Sequence, residues 1–216
     1  MCEKLTRLVH SGNATNRISD SLTPDRQLAR LVVLACHDLR TPLATVHGFA
    51  RTLTSTAALE EPARRYVGMI ESASEQLAEL VDELALAARI EAGRYDPVHA
   101  EVDTLELARA AATRLDEERV AVGGEGARVS IDVAATERAV AALARCALRH
   151  GGLERVEFAV RGPELELAPV TPASAPVLLG EDLRDLGAAV AGRLLSVQGG
   201  SLTLSGETLR IILASS

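Results

Sequence analysis

A heptad runs unbroken through Tyr66, Ile70, Ala73, Leu77, Leu80, Leu84 and Ala87. Steps of four and three put these side chains on one stripe of a helix, the pattern of a coiled-coil seam. Val81 and Ile90 widen the stripe, Pro62 precedes it and Gly93 ends it. A second series lies upstream. Leu28, Val32, Ala35 and Leu39, then Leu43, Val46, Ala50 and Leu53, repeat the same steps with one extra step of four between the sets. Thr23, Pro24 and Asp25 make a helix start there, with a cap, a first-turn proline and an acid at the positive end of the dipole. The pattern predicts one long helix ending near Ser55. Two long helices joined by the short segment STAALEE form an antiparallel hairpin. One hairpin alone leaves an apolar stripe bare on each helix. Two hairpins about a two-fold axis bury both stripes in a four-helix bundle, so a homodimer is expected on physical grounds.

Aromatic residues make up 2% of the chain, with no Trp, so Ala and Leu must fill the core and the helices must approach closely. Lys and Arg number 23 against 30 Asp and Glu, a net charge of −7. That balance argues against a nucleic-acid or anionic-membrane binder, which needs clustered cations. No run reaches the ~20 apolar residues of a membrane span. The first residues lack the apolar stretch of a signal peptide, so a cytoplasmic protein without membrane insertion is expected. Cys2, Cys36 and Cys146 are too few and too scattered for a disulfide framework or a zinc signature. Cys36 and Cys146 fall in helical patterns and read as small core residues.

From Tyr95 the texture changes. VDTLELARAAATRL, AATERAVAALARCALRHGG and LRDLGAAVAGRLLSVQGG read as helices. ARVSIDV alternates as a strand. RVEFAVRGPELELAPV and SLTLSGETLRIILAS read as hairpins turning at 161–163 and near Gly206, and TPASAPVLLG as a loop. GGEG at 123–126 lies between β-like runs and not before a helix, so it reads as a turn. Helices interleaved with hairpins predict an α/β two-layer sandwich. The expected division is a leader at 1–22, a helical hairpin at 23–93 and an α/β domain at 94–216, an α+β chain as a whole.

Residues 37–43, HDLRTPL, interrupt the first helix with polar groups and a proline. At about 100° per residue, His37 lies roughly 200° from Leu39 and faces solvent. Thr41 is one turn on and only about 40° round, and Asp38 flanks the ring. A neutral imidazole nitrogen is a nucleophile toward phosphorus, and a neighbouring carboxylate can orient the ring or take its proton. Pro42 removes one backbone hydrogen bond and frees a carbonyl nearby. His10, His47 and His99 lack such company and read as ordinary surface histidines.

HDLRTPLATVHGFARTL resembles the H box of two-component sensor histidine kinases, and ARIEAGRYDP resembles the end of that family's dimerisation and histidine-phosphotransfer hairpin. The resemblance implies that His37 is the phosphoacceptor, Asp38 its acid/base partner and Thr41 a positioner of water. Arg40 is a candidate contact to the phosphoryl group or a partner. Response-regulator receiver domains are the implied partners, docking near Ala44, Thr45, His47 and Gly48.

The second half resembles that family's ATP-binding domain in element order but departs from it where ligands are held. The Asn positions of the N box fall on Ala142 and Cys146. A thiol is a poor ligand for Mg²⁺, which wants oxygen. Around Pro169 stands APVTPASAP, with neither the Asp nor the Gly of the adenine-binding box. Asp185 and Gly187 replace a later glycine pair, placing an anion where phosphates would approach. The expectation is a histidine phosphotransfer protein of a phosphorelay, with no cofactor, no metal of its own and Mg²⁺ carried by the partner receiver. It resembles bilobal histidine phosphotransferases with a degenerate ATP domain. An ATP-dependent kinase or phosphatase with a divergent site, and a non-catalytic regulator-binding scaffold, are the alternatives.

Overall fold

The computed structural model describes residues 24–56, 59–115 and 118–214. The proposed leader and the Thr23 cap lie outside them. Helix α1 (Pro24–Thr56) carries Pro42 inside it without ending, and α2 (Ala63–Glu91) returns alongside. The turn after α2 uses Gly93 at φ +64, a left-handed conformation that other residues adopt only with strain.

The hairpin seam uses small residues. Ala29, Cys36 and Ala50 of α1 are buried, as are Ser74, Ala85 and Ala88 of α2. Small side chains let the two backbones come close. The large residues of the two apolar series are left bare: Leu28, Leu39, Val46 and Leu53 on α1, and Tyr66, Ile70, Leu77, Leu80 and Leu84 on α2. Leu39 is therefore not a core residue of the single chain, contrary to the helical-wheel expectation. The wheel detects apolar character but cannot separate a hairpin seam from a second stripe.

The α/β unit runs β1 (His99–Asp103), α3 (Thr104–Thr113), β2 (Val120–Gly126), β3 (Arg128–Asp132), α4 (Val133–Gly151), β4 (Val156–Gly162), β5 (Glu164–Ala168), α5 (Ala175–Leu178), α6 (Leu186–Val197), β6 (Ser201–Ser205) and β7 (Thr208–Ile212). The main sheet has order β2-β4-β5-β7-β6, with β2 parallel to β4 and the other pairs antiparallel. β1 and β3 form a separate antiparallel pair. Strand residues alternate: Val156, Phe158, Val160, Leu165, Leu167, Leu209 and Ile211 are buried in one core with α3, α4 and α6. The opposite face carries an Arg210–Glu164–Glu166–Arg161 ladder.

Three local expectations are corrected. The helix expected from Val102 begins at Thr104, because the Asp103 side chain caps it, accepting from the Leu105 and Glu106 amides. The loop at TPASAPVLLG contains the short helix α5. GGEG is not a turn: it is the end of β2, in register with Ala159–Gly162 of β4. Gly124 sits at φ +114, and a Cβ there would lie 2.1 Å from the Val160 carbonyl oxygen. Gly124→Ala is expected to destabilise the fold by about 3 kcal/mol or more, combining backbone strain with a clash against backbone. Chemical denaturation of the two proteins measures the difference.

The two units share structure. Leu86 of α2 belongs to the α/β core, with Ala87, Ile90 and Tyr95 packed against it. Tyr95 Oη donates to Asp132 Oδ2 at 2.8 Å, and the Asp132 amide donates to Gln198 Oε1 at 2.8 Å. Arg145 and Arg193 reach Glu79 and Glu91 across the same junction.

Candidate phosphoacceptor site

Cys36, 1% exposed, faces α2 and sets the rotation of α1. At about 100° per residue, His37, Thr41, Ala44, Thr45 and Gly48 then fall between about 80° and 180° from it. All are exposed. They form one open face that ends at Asp38, about 200° round. The bare stripe of Leu28, Leu39, Val46 and Leu53 lies at about 260–300°, away from the histidine.

The His37 side chain is 75% exposed, and its Nδ1 lies 3.1 Å from Asp38 Oδ1. A carboxylate can only accept, so Nδ1 carries the proton and donates. The Nε2 lone pair is then left free on the solvent side. Thr41 shares the face, and its carbonyl accepts a hydrogen bond from Thr45 Oγ1 at 3.1 Å.

Two members of the expected docking set turn elsewhere. Arg40, about 40° from Cys36, lies close enough to the seam to reach α2. Its Nε and Nη2 donate to Asp82 Oδ1 at 3.1 and 2.6 Å. It ties the two helices together at the level of the histidine. Both groups are about half exposed, so solvent screening keeps this pair to about 1 kcal/mol or less. His47 is only about 20° from Cys36 and is drawn toward the seam. Its Nε2 lies 3.9 Å from Glu75, and its Nδ1 is buried with no hydrogen-bond partner. Neither the surface reading nor the docking reading of His47 fits that position.

In the α/β unit, Ala142, Cys146 and Gly187 are buried, and Pro169 is exposed. Gly187 sits in a close approach: a Cβ there would lie 3.0 Å from Glu83 Oε1 and 3.1 Å from the Ala142 Cβ. Cys146 is fully buried, and desolvation, aided by the Asp185 carboxylate, pushes its thiol up to about 12. Asp185 caps α6, with Oδ1 accepting from the Ala188 amide at 3.1 Å. Its Oδ2 lies 3.2 Å from His150 Nε2 and 3.8 Å from Arg149. The positive end of α6 is thus met by a carboxylate of the chain itself. His150 was missed in the sequence, although its spacing of four from Cys146 on a helix was a readable signal.

A cavity of about 250 Å³ lies among α2, α4 and α6 and is lined by Glu83, Arg138 and Arg145 among others. Desolvation raises the Glu83 carboxyl above its usual value of 4.5. Asp185 and Glu79 add to the rise, while Arg145 and Arg138 oppose it. A raised carboxyl contributes stability that is present below the unfolded value and lost as pH rises through the folded value. Glu83→Gln mimics the protonated form. It should raise Tm at pH 7.5 and leave it unchanged near pH 4, as scanned by calorimetry.

Residues 27–93 match the His Kinase A (phospho-acceptor) domain family. No curated protein shows a match. Among solved structures, full-length ShkA in complex with AMPPNP superposes with a TM-score of 0.61 at 22% identity over 87% of this chain. This chain spans 47% of that protein. The histidine kinase AdeS of Acinetobacter baumannii superposes with a TM-score of 0.54 at 17% identity, over 83% of this chain and 98% of that one. At these identities the superpositions speak for fold. The chain is histidine kinase-like in architecture: a His Kinase A-type hairpin followed by an α/β sandwich with the fold of a histidine-kinase ATP-binding domain.

Proposed function

We propose that this protein is a two-component phosphoryl carrier that works through His37, taking phosphate from an aspartyl-phosphate of a receiver domain. The observation that carries the reading is the exposed His37–Asp38 pair, with Nδ1 occupied as a donor and Nε2 open. His Kinase A domains are dimeric and work with response regulators. In the step, Nε2 attacks phosphorus, an N–P bond forms, and the P–O bond to the receiver aspartate breaks. The aspartate leaves as a carboxylate. The ring becomes cationic, and the Asp38 carboxylate on Nδ1 stabilises that charge. The open face of Thr41, Ala44, Thr45 and Gly48 has small side chains that let a partner element come close to the histidine.

The choice of donor in this reading rests on the second unit. Mg²⁺-ATP, which the fold family implies, does not fit the residues present. A buried thiol stands at Cys146 where a hard cation needs oxygen. The Asp185 carboxylate caps the helix end that would meet phosphate. Val170, Val177 and Leu178 are buried in the core after β5. A second reading, ATP-dependent autophosphorylation, is favoured by the likeness of fold to AMPPNP-bound ShkA over most of this chain.

One experiment separates them. Purified protein is incubated in parallel with radiolabelled Mg²⁺-ATP and with labelled phospho-receiver domains. The phosphocarrier reading expects label on the protein from a receiver and none from ATP. Label from ATP alone reverses the assignment of the donor, and label from neither sinks both readings.

A further inference from the structure

The Cys146 Sγ, a His150 ring nitrogen and an Asp185 carboxylate oxygen all lie within 4.8 Å of one another. Cys146 and His150 are four apart on α4 and so project from the same face one turn apart. Asp185 comes from the start of α6, its backbone position fixed by the cap to Ala188. The cap uses Oδ1, leaving Oδ2 turned toward His150 Nε2 at 3.2 Å.

We propose that these three residues form a binding site for a zinc-class divalent ion. A thiol, an imidazole and a carboxylate are the donor types zinc takes, and three of them leave one tetrahedral position for water. The same set rejects Mg²⁺, which asks for near-octahedral oxygen. The His150 and Asp185 side chains are 16% and 12% exposed, so the ion enters from their side while Cys146 closes the buried end. Arg149 Nη1, 3.8 Å from Asp185 Oδ2, is the cation the ion must displace. Binding replaces the His150–Asp185 hydrogen bond with two metal bonds: the Nε2 proton moves to Nδ1 by exchange with solvent, and the thiol proton is released to solvent. The ion would lock α4 to the start of α6. The scattered cysteines give no such signature in the sequence, because the fold brings Asp185 to Cys146 and His150 across 35 residues or more.

The site does not depend on the phosphocarrier reading and is tested without it. Tag-free full-length protein is titrated with Co²⁺, followed by absorbance, and then with Zn²⁺. The expected result is one Co²⁺ per chain with a thiolate-to-metal charge-transfer band, displaced by Zn²⁺ and unmoved by excess Mg²⁺. Cys146→Ala should abolish the band. His150→Gln, which keeps Cys146 in the core, should weaken binding about 10-fold or more. Absence of the band in wild type overturns the proposal. So does a band that survives Cys146→Ala, which would come from another cysteine, or an affinity unchanged in His150→Gln.

Discussion

His37→Ala protein is expected to accept no label from a phosphorylated receiver, while wild type is labelled. The loss should be complete, because none of the other described histidines, His47, His99 and His150, shares the open α1 face of His37 and Thr41. His47 is turned into the hairpin seam, and His150 is held in the α/β unit by Asp185. Folding should be preserved: His37 is exposed, and surface changes of this kind shift stability by about 0.5 kcal/mol or less. Matching circular dichroism and Tm values would place the effect in chemistry. Asp38→Asn is the finer probe. An amide can orient Nδ1 but cannot stabilise the charged ring equally, so transfer should slow without vanishing. Equal labelling of His37→Ala and wild type would remove the histidine from the mechanism.

Leu77→Glu combined with Leu80→Glu is expected to convert a dimer into monomers. Both leucines are about half exposed on the single chain, in a stripe with Tyr66, Ile70 and Leu84. Burying a leucine fully is worth about 1.5–3 kcal/mol. Symmetry counts each substitution twice and about half of each side chain remains to be buried, so the double change removes about 3–6 kcal/mol from association and buries charge as well. Light scattering after size exclusion should show the mass of two chains for wild type and of one for the variant. Helix content should hold, because these side chains make no part of the hairpin seam. A wild-type protein with the mass of one chain would leave the stripe without a second copy to cover it.

Much of the architecture was legible. Periodicity located both long helices, and alternation located the strands of the two hairpins. Gly-Pro and Gly signals marked the turns at 161–163 and Gly206. What escaped was structure that exists only through pairing. His99–Asp103 has little apolar alternation and is a strand because β3 lies against it. The segment at 123–126 reads as a turn, yet is a strand paired with β4, where Gly124 comes closer to the Val160 backbone than a residue with a Cβ could. The placement of His37, Asp38 and Thr41 on one solvent-facing arc was legible as well. The contacts of Arg40 and His47 were not legible because their partners, Asp82 and Glu75, sit on the other helix.

Sequence by itself determined that two amphipathic helices form, that His37 lies outside their apolar face, and that the second unit carries a thiol at Cys146 and a carboxylate at Asp185. Only the tertiary structure decided how α1 is divided: a seam of small residues toward α2, an open arc around His37, and a bare stripe of large residues on the remaining side. The reason is geometric. Local periodicity registers whether a side chain is apolar, whereas the choice between two apolar arcs depends on which one lets two backbones come closest. The same closeness, between α4 and the start of α6, gathers Cys146, His150 and Asp185 into one cluster.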